Sequence, residues 1–116
     1  MFSKFVAGLV LAITGLTTMA SAETVTASYY SAKYNGRRTA SGQRFSSNAL
    51  TAAHKTLPLG TRVKLTNPRT QRSVVVRVND RGPFVKGRDI SVTRRAAKQL
   101  GFTRSGVAQL EMEALK

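Results

Sequence analysis

Apolar and polar residues alternate along two neighbouring segments in the middle of the chain. In Thr61–Asn67 the apolar residues Val63 and Leu65 alternate with basic or polar ones, and in Ser73–Val78 three of the valines, at positions 74, 76 and 78, lie on one face. A period of two is typical of a strand with one buried face. The short polar segment between them, residues 68–72, therefore predicts a hairpin connection.

Shorter segments that are rich in apolar or β-branched residues predict further strands. These segments are Thr24–Ser31, Ala49–Ala53, Arg88–Val92 and Gly106–Leu115. The last one also contains good helix formers, but its alternation favours a strand. Long polar segments with Asn-Gly and Ser-Gly pairs separate the strands and predict turns.

One segment, Thr93–Gly101, has the spacing of a helix. Thr93 is a suitable N-cap, with Ser91 as the competing choice, and Gly101 supplies a stop signal. The apolar residues that recur on one side are Ala96, Ala97 and Leu100. Many short strands with one helix predict an all-β fold, and we expect a small closed barrel because closure leaves no exposed strand edges.

The N-terminus resembles a targeting signal. Lys4 precedes an apolar run that is too short to span a bilayer comfortably, and Ala20–Ala22 reads Ala-Ser-Ala, a cleavage signal. We therefore predict a signal peptide at residues 1–22 and one domain at residues 23–116, with a membrane-anchoring helix as the alternative. The sequence contains no cysteine for a disulfide, a lipid anchor or a thiolate metal site. We expect export across the inner membrane to the periplasm or cell envelope, without a stable membrane anchor.

The predicted mature domain is strongly basic. The chain has 19 basic and 5 acidic residues, so removal of Lys4 leaves 18 − 5 = +13. Such a charge attracts polyanions. Nucleic acid is the usual candidate in the cytoplasm, but export favours cell-envelope polymers such as peptidoglycan or an anionic membrane surface. The alternative is that the charge only maintains solubility.

Three motifs occur in a characteristic order: TASG at 39–42, LTAAHKTLPLG at 50–60 and VNDRGPF at 78–84. In this arrangement they resemble the RlpA-like double-psi β-barrel family, over nearly all of residues 23–116. The resemblance implies a six-stranded double-psi β-barrel with one or two short helices. It also implies a lytic transglycosylase that cleaves MurNAc–GlcNAc linkages of peptidoglycan, forms anhydro-sugars and prefers glycan strands without stem peptides.

The resemblance further implies a groove that the three motifs line. The family's working residues are a glutamate directly after the TASG motif, the histidine of TAAH and the aspartate of NDRG. The last two correspond to His54 and Asp80, whereas the first corresponds to Gln43, which has no titratable proton. No cofactor or metal is expected. The implied substrate contacts are Gln43, Thr39, Ser41, Gly42, Arg81 and Gly82.

Asp80 is the acid that the resemblance places in the groove, although Asn-Asp-Arg-Gly-Pro would equally suit an Asx-turn. Among the other acids, Glu23 is expected to be a mobile new N-terminus, and Glu111 and Glu113 to lie on a solvated face. His54, the only histidine, is either structural or the acid that shares a proton with Asp80 in place of the missing glutamate.

Three functions remain open at this point. The first is a monomeric lytic transglycosylase that acts on peptidoglycan glycan strands and not on nucleic acid. The second is a non-catalytic, expansin-like module that binds or loosens the wall, because position 43 is an amide. The third is a cationic protein that binds another protein. Four aromatic residues offer flat surfaces for sugars, but we expect at least half to belong to the core: Tyr29, Tyr30, Tyr34 and Phe45.

Overall fold

A computed structural model describes residues 22–115, in which six strands close into a barrel and confirm the predicted all-β class. One α-helix, α1, spans Arg94–Leu100, and a 3-10 turn spans Ala32–Tyr34. The predicted signal peptide, apart from Ala22, lies outside the described residues. No helix of residues 22–115 combines the length and apolarity that crossing a bilayer requires. The strands are β1 Glu23–Tyr29, β2 Thr51–His54, β3 Arg62–Asn67, β4 Arg72–Asp80, β5 Ile90–Val92 and β6 Val107–Ala114.

The strand order around the barrel is β1-β5-β2-β4-β3-β6, so each strand has a neighbour on both sides. β1 pairs in parallel with β5, and β2 pairs in parallel with β4. The remaining pairings are antiparallel, including the predicted β3–β4 hairpin. Closure pairs the strand edges through backbone hydrogen bonds, so the fold needs no disulfide to protect an edge.

Alternate residues of β3 and β4 fill the interior, as their sequence pattern predicts. Val63, Leu65 and Val78 are fully buried there. Helix α1 covers one side of the barrel with the predicted apolar residues, and Thr93 is its N-cap, since its side chain accepts a hydrogen bond from Ala96 N. The basic residues of the strands are thereby left on the outer surface.

Two predictions about the chain near the site are wrong. β4 continues to Asp80, two residues beyond its predicted end, because Asp80 pairs with Ala53 of β2. Asn79 and Asp80 are therefore strand residues and not part of the turn. Glu23, expected to be mobile, opens β1 opposite Met112 because the β1–β6 ladder extends that far.

Candidate active site

The Asp80 carboxylate is half-buried at the end of β4, where three donors fix it. Its Oδ2 accepts a hydrogen bond from the Tyr30 hydroxyl at 2.8 Å. Its Oδ1 accepts from the backbone N–H groups of Ala40 and Arg81, each at 2.9 Å. A carboxylate has about four acceptor positions, so Asp80 is held in place and keeps capacity for a ligand.

Tyr30, which the sequence suggested only as a flat surface for sugars or a core residue, is a direct neighbour of Asp80. Its ring packs on the buried ring of Phe45, with centroids 4.5 Å apart. Burial, followed by the hydrogen bond to Asp80 and the charge of Asp80, raises the pKa of the Tyr30 phenol far above its ordinary value. The hydroxyl therefore stays protonated and donates. The available signal was an aromatic residue with a polar tip at a strand end, but its partner lies 50 residues away.

The Thr39–Gln43 loop folds onto the end of β4. The backbone N–H of Ser41 donates to the carbonyl of Asn79 at 3.0 Å. Gly42 has φ 89°, a conformation that residues with a side chain rarely adopt. Thr39 is buried, and its hydroxyl donates to the Gln43 carbonyl at 2.9 Å. Of the predicted substrate contacts in this loop, Thr39 and Gly42 thus give the loop its shape.

Gln43 is exposed and lines a cleft of about 250 Å³. Its Oε1 accepts from Asn79 Nδ2 at 3.2 Å and from Ser41 Oγ at 3.4 Å. Within residues 22–115 its Nε2 has no hydrogen-bond partner, so the amide presents a donor. The cleft is also lined by Ser41, Leu59, Gly60, Arg77, Val78 and Asn79.

The His54 ring lies against the chain that follows β2. Its Nδ1 accepts from the backbone N–H groups of Thr56 and Leu57, both at 3.1 Å. The neutral ring therefore carries its proton on Nε2. Although β2 and β4 are neighbours, no hydrogen bond joins the His54 and Asp80 side chains in the described part of the chain. The geometry does not provide the shared proton that the sequence suggested.

His54 instead lines a second cleft, of about 340 Å³, together with Glu23 and Asp89. Burial is the main cause that lowers the pKa of His54, and the charges of Arg81 and Lys55 act in the same direction. The carboxylates of Glu23 and Asp89 oppose this shift. The balance favours a neutral imidazole.

Arg81 and Gly82 shape the turn that follows Asp80. Arg81 Nη1 donates to the carbonyls of His54 and Leu57, at 3.1 and 2.7 Å, and ties the turn to the end of β2. Gly82 is buried with φ 119°, and its bond to Pro83 is cis. Because Nη1 of Arg81 donates to two backbone carbonyls, this nitrogen of the predicted glycan contact holds the turn in place.

A larger cleft, of about 510 Å³, lies elsewhere in the described chain. It is beside the β3–β4 hairpin turn, with Asn67 and Arg69 among its lining residues. Asp80 is at the opposite end of β4, about 25 Å away at the usual strand rise. We place the candidate site at Asp80 because the fixed carboxylate and the Thr39–Gln43 loop meet there.

Comparison with known proteins gives close matches. The model of the lytic transglycolase family matches residues 22–112. The chain is 56% identical over 90 residues to the endolytic peptidoglycan transglycosylase RlpA of Pasteurella multocida, covering 78% of this chain and 31% of that protein. It is 54% identical to the probable endolytic peptidoglycan transglycosylase RlpA of a Synechocystis strain, covering 78% and 28%. The chain thus spans about a third of the length of these relatives.

Among solved structures, an expansin of Clavibacter michiganensis in complex with cellohexaose is similar in fold. The TM-score is 0.65 at 17% sequence identity, covering 84% of this chain and 51% of that one. This likeness shows that the barrel architecture is shared.

Proposed function

Because the chain belongs to the lytic transglycolase family of RlpA-like double-psi β-barrels, we propose that it is a peptidoglycan lytic transglycosylase. It cleaves the MurNAc–GlcNAc linkage of glycan strands and leaves an anhydro-sugar end. We also propose that residues 1–22 are removed on export and that residues 23–116 act as a monomer in the cell envelope. No cofactor or nucleic acid takes part in this proposal.

The observation that carries the proposal is the fixed Asp80 carboxyl group beside the Thr39–Gln43 loop. Breaking a glycosidic bond requires a proton for the leaving oxygen. In a lytic transglycosylase the sugar's own primary hydroxyl replaces water. In its acid form Asp80 gives its proton to the glycosidic oxygen and then takes one from that hydroxyl as the anhydro ring closes. One carboxyl group can therefore act first as the acid and then as the base, and the carboxylate that remains after the first proton transfer stabilises the developing positive charge.

Other residues of the proposed site bind or orient. Tyr30 holds one oxygen of Asp80, and Gln43 offers its amide N–H to the glycan. We propose that His54, the second predicted catalytic residue, donates its Nε2 proton to the glycan as a hydrogen bond. Its lowered pKa makes a cationic acid the weaker role.

A second candidate function is a non-catalytic module that binds glycan. Position 43, which corresponds to the family's catalytic glutamate, is an amide whose oxygen is hydrogen-bonded to Asn79. Without a second carboxyl group the groove would hold a strand and leave it intact. This candidate retains every binding contact of the first.

The deciding experiment digests purified, peptide-free glycan strands and detects anhydro ends by mass spectrometry. The samples are the protein recovered from the periplasm, whose intact mass also shows whether residues 1–22 are removed, and the variants Asp80→Asn and Gln43→Glu. Glu111→Gln serves as control because it makes the same charge change on the exposed side of β6. We expect Asp80→Asn to lower the rate by about 100-fold or more, the control to match the unmodified protein, and Gln43→Glu to increase the rate.

The other outcomes separate the two candidates. An unmodified protein that forms no product, beside a Gln43→Glu variant that does, supports the binding module. If all of the samples bind strands and none cuts them, the enzyme proposal is wrong.

A further inference from the structure

Two arginines face each other on the outside of the barrel. Arg62 of β3 and Arg77 of β4 are direct partners in the antiparallel register, and both are exposed. Cβ atoms of such partners lie about 5 Å apart, and like charges so placed destabilise a sheet. The residue opposite Arg77 on β2 is Thr51, and the residue opposite Arg62 is Leu115, directly after β6, so neither direct neighbour is an acid. The nearest acid on β6, Glu113, is opposite Lys64. A bound anion would relieve the repulsion.

Arg77 also lines the cleft that contains Gln43. Neither the Arg77 guanidinium nor Gln43 Nε2 has a hydrogen-bond partner among residues 22–115, so two donors share this space. The Oε1 of Gln43, which could have accepted from Arg77, is used by Asn79 and Ser41. Donors without acceptors are suited to a carboxylate.

Other arginines close to the site are used differently. Arg38 donates to the carbonyl of Gly42, Arg44 to that of Gly36, and Arg81 to that of Leu57, at 2.7 to 2.8 Å. These contacts fix loops. Arg77 sits on a rigid strand and has no such contact in the described chain, which leaves its fork of donors for a ligand.

We propose that Arg77, with the charge of Arg62 and the amide of Gln43, forms a subsite for the lactyl carboxylate of a muramic acid residue. The inference rests on the proposed action on glycan strands. Arg77 precedes Asp80 by three residues, about 10 Å along β4, so the carboxylate lies to one side of the bond that is cut. A stem peptide converts this carboxylate into a neutral amide. The subsite therefore gives the implied preference for peptide-free strands a physical origin.

The test compares two soluble probes of equal length: peptide-free glycan oligomers, and the same oligomers with their lactyl carboxyls converted to methylamides. Binding is measured by calorimetry at fixed salt in an Asp80→Asn background, in which cleavage is expected to be about 100-fold slower or more. We expect Arg77→Gln to weaken binding of the carboxylate probe about tenfold and to leave binding of the methylamide probe unchanged. Arg77→Lys keeps the charge but loses the fork and should give an intermediate loss.

Arg104→Gln is the matched control, since it removes one positive charge at the other end of the barrel. This variant should leave the ratio of the dissociation constants of the two probes unchanged. The subsite is refuted if Arg77→Gln weakens both probes equally, or if Arg104→Gln reproduces its effect, because the charge then acts as a general field. Cleavage by the unmodified protein is scored separately. If the protein binds the two probes with different affinities but never cuts a strand, only the proposed catalysis is refuted. If it cuts both probes equally, only the subsite is refuted.

Discussion

Asn67 and Asn79 are both buried asparagines, 3% and 5% exposed, near opposite ends of the β3–β4 pair. The Asn67 side chain is used entirely inside the fold: its Nδ2 donates to the Leu100 carbonyl at 2.9 Å, and its Oδ1 accepts from Arg69 N at 3.0 Å. Asn79 donates instead to Gln43, whose amide is exposed and lines a cleft. The same residue type thus closes one end of the barrel and holds an exposed amide in a cleft at the other.

The comparison shows that cleft size is a poor guide to the site. The larger cleft, about 510 Å³, lies beside Asn67, where several polar groups bind one another. The Thr70 hydroxyl donates to the same Leu100 carbonyl, and Gly101 ends α1 in the left-handed conformation. The cleft at Gln43 is about half that size and presents donors without partners, but within residues 22–115 the guanidinium groups of Arg69 and Arg104 in the larger cleft have no hydrogen-bond partner either. The Gln43 cleft is therefore distinguished by the fixed Asp80 carboxylate and the loop beside it, and not by free donors alone.

Among variants that test the difference between the two ends of the barrel, Asn67→Ala has the largest expected effect on stability. It removes two internal hydrogen bonds from a buried site, so we expect the free energy of unfolding to fall by about 1–3 kcal/mol. Urea denaturation measures this loss. Below the unfolding transition, activity per folded molecule should stay unchanged because the substitution is far from Asp80.

Asn79→Ala is the matched variant at the other end. It removes one hydrogen bond to an exposed amide, so we expect a smaller loss of stability and weaker glycan binding through a less ordered Gln43. If the two variants lose equal stability, or if Asn67→Ala also weakens binding, the two ends do not differ in the way proposed.

Tyr30→Phe has the next largest effect. It removes the hydroxyl that holds Asp80 Oδ2, and we expect kcat/KM to fall about fivefold, corresponding to about 1 kcal/mol. Since burial and Asp80 raise the pKa of this phenol, Tyr30 stays protonated across the pH range of the assay, so the loss should not depend on pH. Unchanged kinetics would assign Tyr30 to packing on Phe45 alone.

The parts of this fold that follow a local rule could be predicted from the sequence. Alternation located β3 and β4, and the N-cap and glycine rules located α1 to within a residue at each end. The parallel pairings could not be predicted, because the paired strands are far apart in the sequence: Ala27 of β1 is opposite Ile90 of β5. The end of β4 was misplaced for the same reason: Asp80 resembles a turn residue locally, but it is a strand residue because β2 pairs with it.

The site divides in the same way. Motif resemblance indicated Asp80 and the Thr39–Gln43 loop, and the structure brings these together. Resemblance could not show that Tyr30 reaches Asp80, nor that Arg81 is tied to backbone carbonyls while Arg77 is not. Those distinctions depend on contacts between distant segments, which residue type and spacing do not encode.

The smallest expected effect is the pH dependence contributed by His54, whose surroundings favour the neutral ring. Its pKa is lowered in the folded state, so the unfolded chain takes up the proton first, near pH 6.5. Stability should therefore fall as pH falls below about 6.5, and this contribution should be absent from His54→Asn, whose side-chain oxygen can accept the bonds from Thr56 and Leu57.

Because His54 is the only histidine, the difference between the two unfolding curves, measured from pH 8 to pH 5, reports this residue alone. The opposite slope, with the unmodified protein gaining stability relative to His54→Asn on acidification, would mean that Glu23 and Asp89 outweigh burial. An imidazolium would then be stable in the cleft with Glu23 and Asp89, and His54 would regain the role of catalytic acid that its present contacts disfavour.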